Sequence, residues 1–361
     1  MQRPTSTVGS AEAERKRTLL LDAAAAAEAV VASSPATVRW LLCGRGRPVS
    51  TTGPEADYTV VLTRRRAAVL HPDIESSRVE AEERLDELGF ETVAFPWHEG
   101  RERALRGLLA GARPVAGTEL EAAAAPLRRQ LEEEELGRYR AAGADAAEAM
   151  VKTLAALSPG RTEEEAAAEL GSRLRSRGFT MPVLLAAGEE RQGIHRHPLP
   201  TGATLGRHAL LAATAERHGL HVSLTRIVAF GPAPAELVEL CRRTAAVDAA
   251  ALRGSRPGRT LGQVFAELEA AYADEGFPGE WRRHHQGGLT GYLGREVFAV
   301  PGERTPIPAS AAVAWNPSLT GGAKSEDTAL VAGDGVEVVT RTPELPEWTI
   351  DGLSRPAITE L

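Results

Sequence analysis

Along the chain, apolar positions switch between helical spacing and short runs of β-branched and aliphatic residues. Residues 1–16 read as a flexible tail. RTLLLDAAAAAEAVVASS then has the composition of a helix. ATVRWLLC, DYTVVLT, RAAVL and TVAFPW read as strands, and SSRVEAEERLDELGF reads as an amphipathic helix stopped by Gly89. This alternation predicts a small α/β domain over 17–125. The charged stretch 125–157 is helical, as one helix or two. It opens a larger α+β domain over 126–361, with helices covering one face of a curved, mainly antiparallel sheet.

The larger domain carries an internal likeness. SPGRTEEEAAAELGSRLRSRGF (158–179) and RPGRTLGQVFAELEAAYADEGF (256–277) share PGRT, an apolar stripe at helical spacing and a Gly-Phe stop. Gly160 to Gly178 and Gly258 to Gly276 both span 18 positions. RAAGADAA (140–147) and RTAAVDAA (243–250) precede them. Pro-Gly before a helix and Gly after it are ordinary turn and cap chemistry. Their repetition at equal spacing points to a duplicated unit with a pseudo-twofold axis. A site at the seam is then expected.

Composition narrows the classes. The chain has 361 residues, 43% hydrophobic and 25% charged, as in soluble globular proteins, and enough length for two domains. A net charge of −7 gives no basic footprint for nucleic acid. Cys43 and Cys241 are too few for a disulfide framework or a cysteine zinc site. The start of the chain has no apolar signal-peptide core, and the Ala-rich run near residue 20 is interrupted by Asp22 and Glu28. No membrane association and a cytoplasmic location are expected. Seven of nine histidines lie between 195 and 285, a distribution that surface chance or proton chemistry would explain.

Four stretches carry a family resemblance. They are PGRTEEE, HRHP (195–198), GLHVSLTR, and WNPSLTGGAKSEDTALV. In this order they resemble the motifs of the pita-bread fold shared by methionine aminopeptidases, Xaa-Pro aminopeptidases, prolidases and creatinase. The resemblance covers about 129–347, and the region before it is similar to the smaller domain of the prolidase and creatinase branch. It implies a pita-bread C-terminal domain, hydrolysis of a C–N bond and a homodimer.

The departures concern the metal. The resembled peptidases hold two divalent ions with two Asp, one His and two Glu. Here Ala212, Ser223 and Asn316 stand at three carboxylate positions, and only Glu326 remains. The histidine position fits His284 in HHQGG, or falls on Gly288 with no histidine. Hard divalent ions need several oxygen ligands, so no metal ligand set and no cofactor are expected. The alternative is a single weakly held divalent ion.

His195, His284 and Glu326 are therefore the candidate catalytic residues, with a histidine as general base. His197, His285, Arg226, Arg295, Asn316, Lys324 and Ser223 are candidate contacts for a small-molecule substrate. His197, held extended before Pro198, is as readily a plain loop residue. On a strand, adjacent His284 and His285 face opposite ways, so at most one enters the cleft, whereas Lys324 and Glu326 share a face. Arg226 fits a structural salt bridge at least as well as a substrate contact. Creatinase-like hydrolysis or elimination at a C–N bond of a small amino-acid-like or guanidino compound is the leading reading. A metal-dependent Xaa-Pro peptidase with a displaced site, and an inactive binding homologue, are the alternatives.

Overall fold

The computed structural model of the chain describes residues 7–24, 27–50, 53, 55–333 and 335–361. The chain divides into two compact units, Met1–Arg128 and Arg129–Leu361. Among the described residues, no helix is long and apolar enough to cross a membrane.

The first unit runs α1 (Thr7–Ala23), β1 (Ala29–Ala32), α2 (Pro35–Leu41), β2 (Thr59–Thr63), β3 (Arg66–Pro72), the single turn α3 (Ser76–Arg78), β4 (Glu91–Phe95), α4 (Glu102–Leu109), β5 (Pro114–Ala116) and α5 (Gly117–Arg129). Its sheet has the order β4-β3-β2-β1-β5, with parallel pairs at β3–β4 and β1–β5. Val31, Val61, Ala68 and Leu70 form one core patch with Leu108.

Four expectations change here. The tail is helical from Thr7, because Ala, Glu, Arg and Lys are strong helix formers. Lys16 pairs with Glu12 at 2.6 Å, both buried, while residues 1–6 lie outside the described residues. AVVA, read as the end of the first helix, is the buried strand β1, and residues 25 and 26 before it also lie outside the described residues. ATVRWLLC is helical, not extended. Ser34 caps the Thr37 amide and Pro35 opens the first turn, so local start signals override an apolar run. SSRVEAEERLDELGF breaks into short turns, with Arg84 left-handed at φ 47°. Glu83 within it is buried and accepts the Gly46 and Arg47 amides.

The second unit begins with α6 (Glu133–Leu154), α7 (Glu163–Arg175), β6 (Thr180–Gly188), the turn α8 (Glu189–Gln192), β7 (His208–Arg217) and β8 (Leu220–Ala229). It continues with α9 (Ala235–Gly254), α10 (Leu261–Asp274), β9 (Gly287–Thr290), β10 (Val297–Phe298), β11 (Ser310–Trp315), β12 (Ser318–Leu319), β13 (Ala323–Lys324), β14 (Asp327–Ala332), β15 (Gly335–Val338), β16 (Glu347–Ile350), β17 (Leu353–Pro356) and β18 (Thr359–Glu360). One sheet has the order β18-β8-β7-β6 and the other β10-β9-β11-β14-β15. The Thr225 amide donates to the Glu326 carbonyl at 3.0 Å, and the Ser223 amide to Thr328 Oγ1 at 2.7 Å. These bonds join the two sheets along β8 and the start of β14.

The duplication is visible in local chemistry. Thr162 and Thr260 both cap their helices, each in a reciprocal capping box with the residue three positions on. Thr162 bridges Thr204 and Thr260 bridges Pro306. The helices stop before Gly178 and Gly276, both left-handed at φ 83° and 89°. One helix pair packs beside β6–β8, the other beside the second sheet. The core between α9, α10 and the strands includes Leu185, Ile227, Phe265, Val313 and Trp315. Burying each such side chain stabilises the fold by about 1.5–3 kcal/mol.

Candidate functional site

The HRHP segment leaves α8 as an irregular loop anchored by its arginine. Arg196 donates to Ser318 Oγ at 3.0 Å and Thr320 Oγ1 at 2.7 Å, and pairs with Glu280. The loop bends at Arg196 and His197, so strand alternation does not apply, and the two histidines part. His197 Nε2 meets His284 Nε2 at 3.0 Å. His195 is exposed beside a small recess that includes Gln192, Gly322 and Lys324, and is not one of the clustered imidazoles. The histidine of this loop that meets His284 is His197, not the candidate His195.

His284 and His285 follow a single 3₁₀ turn, Glu280–Arg283, and precede β9. Gly287 and Gly288 have φ of 99° and 144°, and a Cβ on either would collide with the Ala314 or Val297 carbonyl. The chain therefore enters β9 without a regular pleat. The rings of His284 and His285 stack at 4.6 Å instead of facing apart, and both approach His197, at 4.7 and 5.5 Å between centroids. The expectation that only one could enter the cleft fails for this reason. Gln286 pins the turn by donating to the His284 and Trp281 carbonyls and accepting from the Tyr272 hydroxyl. Phe298 lies edge-on to His285 at 5.1 Å.

Beside the histidines stands a buried charge cluster. Glu326 Oε2 accepts from Thr225 Oγ1 at 2.8 Å and lies 3.3 Å from Lys324 Nζ. Glu326 Oε1 accepts from Arg295 at 3.2 Å. Lys324 and Glu326 share a face, as the alternation predicts. Two cations surround one carboxylate, and side-chain exposure is below 10% for all three, at 6% for Lys324, 9% for Arg295 and 6% for Glu326. Burial raises the Glu326 carboxyl, but Lys324, Arg295 and the Thr225 hydrogen bond outweigh it and hold the pKa below the usual value.

The imidazoles sit in the field of those cations. Burial first, and Lys324 second, lower the pKa of His197 and bring that of His284 down to about 2. Burial and Arg295 lower His285 to about 4. At neutral pH all three rings are uncharged and keep a lone pair, the form that accepts protons or metal ions.

Other candidates are placed differently. Arg226 is buried, and Nε, Nη1 and Nη2 are spent on Thr342, the Thr225 carbonyl, Asp327 and the Thr340 carbonyl. It is a structural residue, not a substrate contact. Arg355 closes the same network onto Asp327 and Asp248. Ser223 is fully buried and bonded to the Thr214 hydroxyl at 2.9 Å, out of reach of a substrate. Asn316 is buried with Oδ1 unpartnered in the protein. Thr225, Arg196 and Phe298 were not singled out from sequence. Thr225 had a signal, its place in the Thr-Arg pair of GLHVSLTR. Arg196 had only its place within HRHP, and Phe298, 13 positions after His285, had none.

The two-ion carboxylate centre of the resembled peptidases does not fit these residues. Ala212 has no donor atom, Ser223 is spent on Thr214, and Asn316 is neutral. Glu326 already carries two side-chain cations. Two divalent ions at these carboxylate positions would meet too few carboxylates and the two cations already on Glu326.

Known proteins bear on this geometry at the level of fold. The chain is similar to the crystal structures of a dipeptidase from Pyrococcus horikoshii OT3 (TM-score 0.74, 16% identity, covering 97% of this chain and 100% of that one) and dipeptidase PepE from Mycobacterium ulcerans (TM-score 0.71, 17% identity, 98% and 99%). It is also similar to the His354Ala form of Escherichia coli aminopeptidase P (TM-score 0.69, 14% identity, 92% and 95%). No curated protein sequence matches significantly. The profile of metallopeptidase family M24 matches residues 137–333, which hold the capped helices, all three clustered histidines and Glu326. The chain belongs to metallopeptidase family M24.

Proposed function

We propose that this M24 protein cleaves a C–N bond in a small amino-acid-like or guanidino compound without the two-ion centre of its family. One observation carries the reading. The surviving ligand position, Glu326, is occupied by Lys324 and Arg295, directly beside a neutral His197–His284 pair. Fixed side-chain cations thus stand where metal charge would otherwise act. The similar structures named dipeptidase and aminopeptidase are hydrolases of the same bond class.

In this scheme His197 is the base, being the more exposed of the pair. When His197 donates through Nε2 to His284, its Nδ1 lone pair is open to a water. As the water oxygen bonds to the substrate carbon, its proton passes to His197. The C–N bond breaks, and the proton moves on to the leaving nitrogen. Lys324 and Arg295 lower the energy of negative charge developing on the substrate. His284 positions His197, and Asn316 offers Oδ1 to a substrate N–H.

A turnover screen of chelator-treated full-length protein on dipeptides, N-acyl amino acids and amidino compounds tests this. Turnover should survive chelation and drop by about a hundredfold or more in His197→Ala and Glu326→Gln. A requirement for added manganese or cobalt would overturn it.

A further inference from the structure

Three imidazoles from two segments 87 residues apart converge at one point. One coordinating nitrogen from each of His197, His284 and His285 can be chosen so that all lie within 4.8 Å of one another. A tetrahedral ion with Zn–N bonds of about 2.0–2.1 Å holds its donor nitrogens roughly 3.3 Å apart. His197 Nε2 and His284 Nε2 are already 3.0 Å apart, so small ring rotations complete the set. His197 and His285 are exposed and have room to rotate, while His284 is buried on a turn pinned by Gln286 and Tyr272. Among the described residues, no carboxylate forms an ion pair with any of the three rings, and His284 Nδ1 is buried without a partner.

We infer that His197, His284 and His285 form a binding site for one transition-metal ion of the zinc, cobalt, nickel or copper class. Imidazole donors select these ions over magnesium, calcium and manganese, which prefer oxygen. Three protein ligands leave the remaining position to water. This site differs in donor type and ion number from a carboxylate-held pair. Where His197 is the base, a consequence that rests on the function proposed above, an ion on Nε2 fixes the ring proton on Nδ1, removes the lone pair offered to water and stops turnover. The cluster is then an inhibitory metal switch.

The full chain, freed of metal by chelator and desalted, is titrated with cobalt(II) chloride and separately dialysed against zinc. We expect visible ligand-field bands of a four-coordinate cobalt site and one zinc per chain. His197→Ala and His285→Ala, each checked for fold by circular dichroism and melting, should weaken binding by about a hundredfold or more. His195→Ala should bind as the parent does. Absence of the bands, more than one tight ion per chain, or binding that survives both substitutions overturns the site. A turnover assay separates this from the proposed reaction. Zinc that inhibits, reversed by chelator, supports both. One bound zinc that raises turnover keeps the site and removes the metal-free reaction. Metal-free turnover with no tight ion keeps the reaction and removes the site.

Discussion

Thr225 holds Glu326 twice, by its amide to the Glu326 carbonyl at 3.0 Å and by its hydroxyl to Oε2 at 2.8 Å. The first bond joins the two sheets, and the second aims the carboxylate at Lys324 and Arg295. Fold and site therefore share a residue. Thr225→Val removes only the second bond. It should cost about 1–3 kcal/mol, because Oε2 loses a buried donor. Urea denaturation measures this, with unchanged circular dichroism showing the sheets still joined.

Glu326→Gln leaves Lys324 and Arg295 buried without a counter-charge. Breaking a buried pair from one side costs about 3–5 kcal/mol. Adding Lys324→Met should return part of that loss, since one orphaned cation goes with it. The double variant melting no higher than Glu326→Gln alone would show that the two do not interact.

His284 makes the stability of the protein depend on pH. Its folded pKa lies at about 2, against about 6.5 when unfolded. Below pH 6.5 the unfolded chain takes up a proton that the folded chain refuses, so stability falls as pH falls. The loss at pH 5 is about 2 kcal/mol, and it continues toward the folded value. Unfolding by urea at pH 7, 6 and 5, in chelator, should show a shallower acid slope for His284→Gln than for the parent.

The paired capping boxes offer a test of the duplication. Thr162→Ala and Thr260→Ala should each destabilise by about 1 kcal/mol, and the double variant by the sum, because the caps share no partner.

The fold was legible where local chemistry and long-range packing agree. PGRT, Gly178 and Gly276 announce both helix pairs, and β7, β8, β11 and β14 read directly from aliphatic runs. The first unit was harder. ATVRWLLC has the apolar content of a strand, and only Ser34 and Pro35 betray a helix. Charged SSRVEAEERLDELGF has a helical period that the burial of Glu83 overrides. In the site, Lys324 and Glu326 followed from period-two geometry. Two placements did not. His195 and His197 are told apart only by the anchoring of Arg196 to Ser318 and Thr320, residues more than 120 positions away. His284 and His285 stack because Gly287 breaks the pleat. Arg226 makes the structural salt bridge that its sequence reading allowed, to Asp327, and only its carbonyl partners lie beyond any spacing rule.

The two halves of the duplicated unit contribute unequally. The second supplies His284, His285, Arg295, Lys324 and Glu326, whereas hairpin β7–β8 presents Ala212, a sequestered Ser223 and a structural Arg226. From the first half, the His197 loop and Thr225 reach the charged groups. Architectural symmetry has outlived symmetry of charge: the second copy carries the buried ions, and the first keeps the His197 loop beside a hairpin that serves as scaffold. Substitutions in hairpin β7–β8 should therefore read out in stability, and those at His197 and among the charged groups of the second half in reactivity as well.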